Sequence, residues 1–143
     1  SDPDKIEKEP WYRIAGTVKR FGLKRGNRIA CVSSLNPLSL SKKLLEKERV
    51  YPFWLRMKIF QDEKITIKAP EGYAISFYPE NKQKSVINSE FKQTSVLEKG
   101  TLSVHTRFSV KNATVQPADY REYREFCGYV DSALEERIIC EKK

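Results

Sequence analysis

Two hydrophobic periods divide this chain. From Trp11 to Val110 apolar and polar residues tend to alternate, the period of half-buried strands; from Pro117 to Glu136 apolar residues recur at three- and four-residue steps, the period of one helical stripe. In that second stretch Tyr120, Tyr123, Phe126, Cys127, Val130 and Leu134 fall on one side, while Arg121, Glu122, Arg124, Glu125, Asp131 and Glu135 fill the rest. Pro117 and Asp119 suit a first helical turn, where a missing N–H is harmless and a carboxylate meets the positive end of the helix dipole. The spacing therefore predicts one late helix that docks through Tyr120, Tyr123, Phe126, Cys127 and Val130, with its carboxylates as a salt-bridged wet back.

The strand-period part reads in order as follows. Residues 1–10 are a linker or frayed end, and 11–143 a single domain. Residues 11–20 (WYRIAGTVKR) alternate as a strand, 21–27 carry turn chemistry, and 28–33 (RIACVS) return as a second strand, giving a basic-tipped hairpin. Residues 41–48 hold one or two helical turns. From 50 to 60 the alternation is sharp, with Phe53, Leu55, Met57 and Ile59 on one face and Trp54, Arg56, Lys58 and Phe60 on the other. Strands follow at 63–68, with Ile65 and Ile67 inward, and at 73–78. A hairpin over 85–97 and 101–110 turns at Glu98-Lys99-Gly100. In its second strand Leu102, Val104, Phe108 and Val110 point one way, and Ser103, His105, Arg107 and Ser109 the other. Arg137–Cys140 returns as a last short strand. The expected fold is mainly β, an antiparallel sandwich of about seven strands with one C-terminal helix packed on it.

Charge adds an asymmetry. The chain holds 27 Lys and Arg against 19 Asp and Glu, a net +8, yet no acid stands between Glu9 and Glu46. Lys19, Arg20, Lys24, Arg25 and Arg28, with Phe21 beside them, are the best candidate binding residues. They suit a polyanion, phosphates meeting the cations and a base stacking on the ring, or else a solvated tip or a surface matched to an acidic patch on a neighbouring domain. With no nucleic-acid-binding motif in the chain, nucleic acid is the disfavoured partner. No apolar run is long enough to span a membrane. An opening Ser1-Asp2-Pro3 in place of Met points to a processed or excised piece.

The chemistry-bearing residues are few. Three cysteines, Cys31, Cys127 and Cys140, and one histidine, His105, form no CxxC and no ligand spacing, so neither a metal nor any other cofactor is expected. Cys127 lies on the apolar helical stripe and Cys31 in an apolar strand, both places for inert thiols. Cys140, near the tail, is the thiol expected to be exposed. His105 belongs to an outward face with no triad partner nearby in sequence. No catalytic residue is assigned. Trp54 and Phe60 lie opposite the inward face of their strand, so either the helix covers them or they mark a surface for another domain.

From Arg49 on, a set of features occurs in a recognisable order: Arg49-Val-Tyr-Pro52, then Ile65-Thr-Ile-Lys-Ala-Pro-Glu-Gly-Tyr73, a strand ending Tyr78-Pro79, a hairpin turn with Gly100, Phe108-Ser-Val110, Tyr120-Arg-Glu-Tyr-Arg-Glu-Phe126 and a closing Ile138-Ile139. This order resembles the C-terminal β-sandwich domain that follows the core in bacterial, often Bacteroidetes, transglutaminase-like proteins, over about residues 49–143. Ala69 stands where that group more often has Leu. The resemblance implies an exported or periplasmic protein whose Cys-His-Asp machinery lies in the preceding core. The present residues would then be a non-catalytic accessory domain, with other domains of its parent chain as partners. The alternative is a stand-alone basic module that grips nucleic acid or another polyanion through the 19–28 hairpin.

Overall fold

The computed structural model describes residues 13–44, 46–55, 59–111 and 113–143. The longest strands make the frame. β4 (Ile59–Lys68), β6 (Lys82–Val86), β7 (Ser89–Glu98) and β8 (Thr101–Val110) form an antiparallel sheet in the order β4-β8-β7-β6. A smaller antiparallel sheet contains β1 (Leu23–Arg25), β2 (Arg28–Val32), β10 (Arg137–Lys142) and β5 (Tyr73–Phe77), in that order. β3 (Phe53–Leu55) pairs with β9 (Ala113–Val115), and the helix α1 runs Pro117–Glu135. The fold is mainly β with one late helix, as the periods predict.

Tight turns set the register. Lys99 and Gly100, at φ 48° and 77°, form the two-residue loop between β7 and β8, and Ile87 and Asn88, at 23° and 54°, the one between β6 and β7. Both have the positive φ pair of a hairpin turn that matches strand twist. Gly26 at φ 58° opens the β1–β2 loop.

The inner face of the large sheet is covered in two halves. Across it runs a polar row, Glu63–Thr106–Gln93–Lys82, in register on four strands. On one side of the row Phe91, Phe108, Val110 and Val86 are buried against α1 through Tyr123, Phe126, Cys127 and Val130. On the other, Leu102 and Val104 pack with Cys31 and Ile138 of the small sheet, and with Ile29, Ile67, Ile75 and Tyr78. The row is closed where the chain passes between the halves. Ser34 Oγ and the Leu35 N–H donate to the two oxygens of Glu63, at 2.6 and 2.8 Å. Lys82 is ion-paired with Glu136, and Gln93 Nε2 donates to Thr106 Oγ1 at 3.3 Å. The helix is thus half of the second layer rather than a plug laid over a complete sandwich.

Several expectations change. Among the described residues ten strands stand where about seven were expected: the 85–97 stretch is interrupted by the Ile87-Asn88 turn, and β9 lacks an alternating signal of its own. Residues 13–20 are exposed and belong to no strand, so the hairpin is only the three-residue β1 against β2. Trp11, Tyr12 and the linker before them lie outside the described residues, as do Arg56, Met57 and Lys58. Among the described residues, the helical turns expected over 41–48 reduce to a 3-10 turn at Ser41–Lys43.

Candidate functional site

The docking stripe comes first, because the helix positions everything near it. Tyr120, Tyr123, Phe126, Cys127 and Val130 are all buried, at 0–5% exposure. Phe126 stacks on Phe108 with ring centroids 6.4 Å apart, and Phe53 meets Tyr120 edge-on at 6.4 Å. Tyr120 donates its hydroxyl to the Glu46 carbonyl at 3.0 Å. The guanidinium of Arg49 lies 4.9 Å from the Phe53 ring centre and 5.2 Å from that of Tyr120. This double cation–π contact pins the entry to β3 against the helix. The polar back is less uniform than its sequence suggests. Asp131 accepts the backbone N–H of Leu40 and of Ser41 at 2.8 Å each, and the Ser41 hydroxyl at 2.5 Å. It caps the 3-10 turn and is not a solvated charge.

Between that turn, β3 and α1 lies an apolar cleft of about 210 Å³, lined by Leu40, Leu44, Phe53, Leu55, Ile59 and Val110, with Tyr123 and Cys127 also in its wall and Lys43 and Trp54 beside them. Cys127 and Tyr123 in its wall are tuned away from reactivity. Burial pushes the Cys127 thiol up to about 11, the Asp131 carboxylate adding to the shift and a hydrogen bond with Tyr123 opposing it. Burial likewise raises the Tyr123 phenol. A thiol this far above neutral pH holds its proton, so the cleft can take an apolar group but offers no thiolate. Trp54 and Phe60 remain 62% and 74% exposed: the helix covers neither.

The other candidates are dispersed. Cys31 is buried in the small sheet, where burial first and nearby Cys140 second raise its thiol, and its Sγ donates to the Phe21 carbonyl at 3.0 Å. Cys140, expected at the surface, is 1% exposed, because β10 lies in the middle of its sheet and not at a frayed tail. All three thiols are free. His105 points to the outer face of the large sheet, with Nε2 2.7 Å from Asp62 Oδ1; Arg107 Nε donates to Asp62 Oδ2 at 2.9 Å. Sequence reading missed Asp62 as the partner. The available signal was the register, since Asp62 stands opposite Arg107 and next to Lys64, which faces His105. Those contacts, the His105 hydrogen bond foremost, hold the Asp62 carboxyl below its usual range.

The basic run does not form one surface with its aromatic. Lys19 and Arg20 lie on the exposed run before β1, Lys24 and Arg25 on β1, and Arg28 opens β2 with its Nε 2.7 Å from Glu141 Oε1. Phe21 turns inward and packs on the small-sheet core, so it is not displayed for stacking. Among the described residues no group of three or more His, Cys, Asp or Glu side chains is arranged to hold a metal.

The family model of DUF3858, a domain of unknown function with a solved structure, matches residues 28–140, starting well before the stretch that carried the likeness in sequence. The crystal structure of a "putative protease" from Parabacteroides distasonis shares the fold, with a TM-score of 0.62 at 16% identity. The match covers 80% of the present chain and 23% of that one, so this chain spans about a quarter of the neighbour's length. No curated protein matches the sequence.

Proposed function

The chain belongs to the DUF3858 family, a domain of unknown function, and we propose that it is an accessory domain without chemistry of its own, set beside the catalytic part of a longer, exported, transglutaminase-like chain. The observation that carries this reading is the separation of its reactive groups. The imidazole of His105 is on the outer face of β8, while Val104 and Thr106, its neighbours in the strand, point to the buried side where the thiols lie. A thiol–imidazole pair needs both groups within hydrogen-bond reach, and here a sheet stands between them. Two further facts support the reading: burial raises every thiol, and the solved neighbour carries this fold as a minor part of its length. The polyanion alternative is weakened by the inward turn of Phe21, which leaves it with charge alone.

The test is made in the full-length parent. Replacing Cys31, Cys127 and Cys140 by Ala, singly, and His105 by Gln should leave amide hydrolysis or transfer within about twofold of the unmodified protein. A loss of about a hundredfold in any folded variant would place chemistry in this domain and overturn the proposal.

A further inference from the structure

The outward face of the small sheet carries a pattern that its own domain does not use. Leu23, Ala30, Ile139 and Phe77 are paired in register from β1 through β2 and β10 to β5, forming one apolar row across the whole sheet, roughly 14 Å long at ordinary strand spacing. Their in-strand neighbours Ile29, Cys31, Ile138 and Cys140 face the core, so the row faces out. A register shift between Ile139 and Cys140 turns Phe77 to this side while Ile75 and Tyr78 pack inside. Leu23 and Phe77, at the ends of the row, are 61% and 53% exposed. Arginines flank it on both sides: Arg25 and Arg28 on one, Arg137 on the other. The only carboxylate in these rows is Glu141, which Arg28 holds.

We infer that this face docks an apolar patch rimmed by carboxylates on the domain that precedes it in the parent chain. The inference rests on the accessory-domain reading and names the surface involved. Two observations select the occupant. A second copy of this face would bring arginine against arginine, because the cations stand on both sides of the row and the chain carries net +8. An acid-rimmed surface answers both the apolar row and its flanks. In addition, what precedes β1 arrives at this edge. Residues 13–20 run fully exposed towards Leu23, with Ile14 and Val18 at 86% and 66%, and they lie outside the family match that begins at Arg28.

Hydroxyl-radical footprinting of the full-length protein reads this directly, with Phe60 as an internal standard, since it is 74% exposed on the outer face of the other sheet. Corrected for intrinsic reactivity, Phe77 and Leu23 should oxidise about fivefold more slowly than Phe60, as expected of side chains at a dry interface core. Arg25→Glu combined with Arg137→Glu should bring Phe77 to the rate of Phe60 while the circular dichroism spectrum is unchanged. If that pair unfolds the domain, Arg25→Gln with Arg137→Gln poses the same question. Equal rates for Phe77, Leu23 and Phe60 in the unmodified parent would overturn the inference and leave the accessory reading to its own thiol test. Protection that grows with protein concentration would assign the face to a second copy, and protection that survives the charge changes would remove the acidic occupant; either result overturns it. A parent with no further domain would instead sink the accessory reading itself.

Discussion

Beneath Phe91, Phe108 and Val110 the large sheet meets a helix, and beneath Leu102 and Val104 the same strands meet a second sheet. The two halves use different material. The helix side is built from rings, with Phe108 on Phe126, Phe91 edge-on to Tyr129 at 6.1 Å, and Phe53 against Tyr120 and Tyr123. The sheet side is built mainly from Leu, Val, Ile and Cys, with the rings of Phe21 and Tyr78 only partly buried against it. A cylinder laid on a twisted sheet leaves deep recesses along its flanks, which rings fill; two sheets face each other more evenly, and small side chains interdigitate. The polar row Glu63–Thr106–Gln93–Lys82 marks the change of partner, where the chain crosses from one half to the other and supplies Ser34, the Leu35 N–H and Glu136 as partners for its two ends, Glu63 and Lys82. Because β7 and β8 run through both halves, the halves should melt in one transition despite their different construction.

The comparison is broken most strongly on the helix side. Phe126→Ala removes a ring at 0% exposure from the centre of the stripe and should cost about 3–5 kcal/mol in urea unfolding. On the sheet side a small change has a large lever. Gly22 sits at φ 143°, and a Cβ there would come within 2.8 Å of Cys31 Sγ and Ile29 Cγ2. Gly22→Ala should therefore cost about 2–3 kcal/mol through strain and overpacking. Both variants should shift a single transition. Separate transitions, each moved by only one of the variants, would show that the polar row is a boundary between independent units.

Asp131→Ala addresses the edge of the helix half. It strips acceptors from two backbone N–H groups and a hydroxyl, and should cost about 1–2 kcal/mol. Hydrogen exchange at Leu40 and Ser41 should quicken while exchange in β10 does not. Unchanged exchange at Leu40 would show that the turn holds without its cap.

How much of this was legible in the sequence follows from the range of each interaction. The helix, its first turn and its docking stripe were readable because a 3.6-residue period and Pro117 are local. The second strand of the β7–β8 hairpin was readable because Leu102 to Val110 alternate without interruption. The β6–β7 turn was not, since Ile87-Asn88 adopts positive φ without a glycine, and a β-branched residue there is a poor signal. The strand expected over 11–20 failed over its described part because alternation supplies faces but no neighbour to pair with, and β1 reaches only three residues. The candidate site was the least legible part. Asp62 beside His105, Asp131 on the 3-10 turn and Arg49 between two rings are contacts across 43, 90 or 91, and up to 71 positions of chain. Composition carries no trace of them. Phe77 carries no signal of its own within the strand expected over 73–78, and the bulge opposite Ile139 turns it outward.

The smallest effect tests the outer face of the large sheet, where charge rather than packing is at stake. His105, through its hydrogen bond, and then Arg107 hold the Asp62 carboxyl below its usual range. A depressed folded-state pKa means that the unfolded chain binds the proton more readily, so the contribution is present above the ordinary carboxylate range and is lost as pH falls through the folded value. The window therefore lies below the ordinary Asp pKa of about 4. With Asp62 36% exposed, solvent screens the pair, and the whole contribution should stay under about 1 kcal/mol. Asp62→Asn should flatten the acid limb of a stability–pH curve slightly and leave the neutral plateau within that margin. High salt should imitate the variant, because exposed pairs are screened over about a Debye length. An acid limb that Asp62→Asn leaves untouched would mean that other carboxylates govern acid unfolding, and that the His105–Asp62–Arg107 cluster on this face contributes no measurable stability.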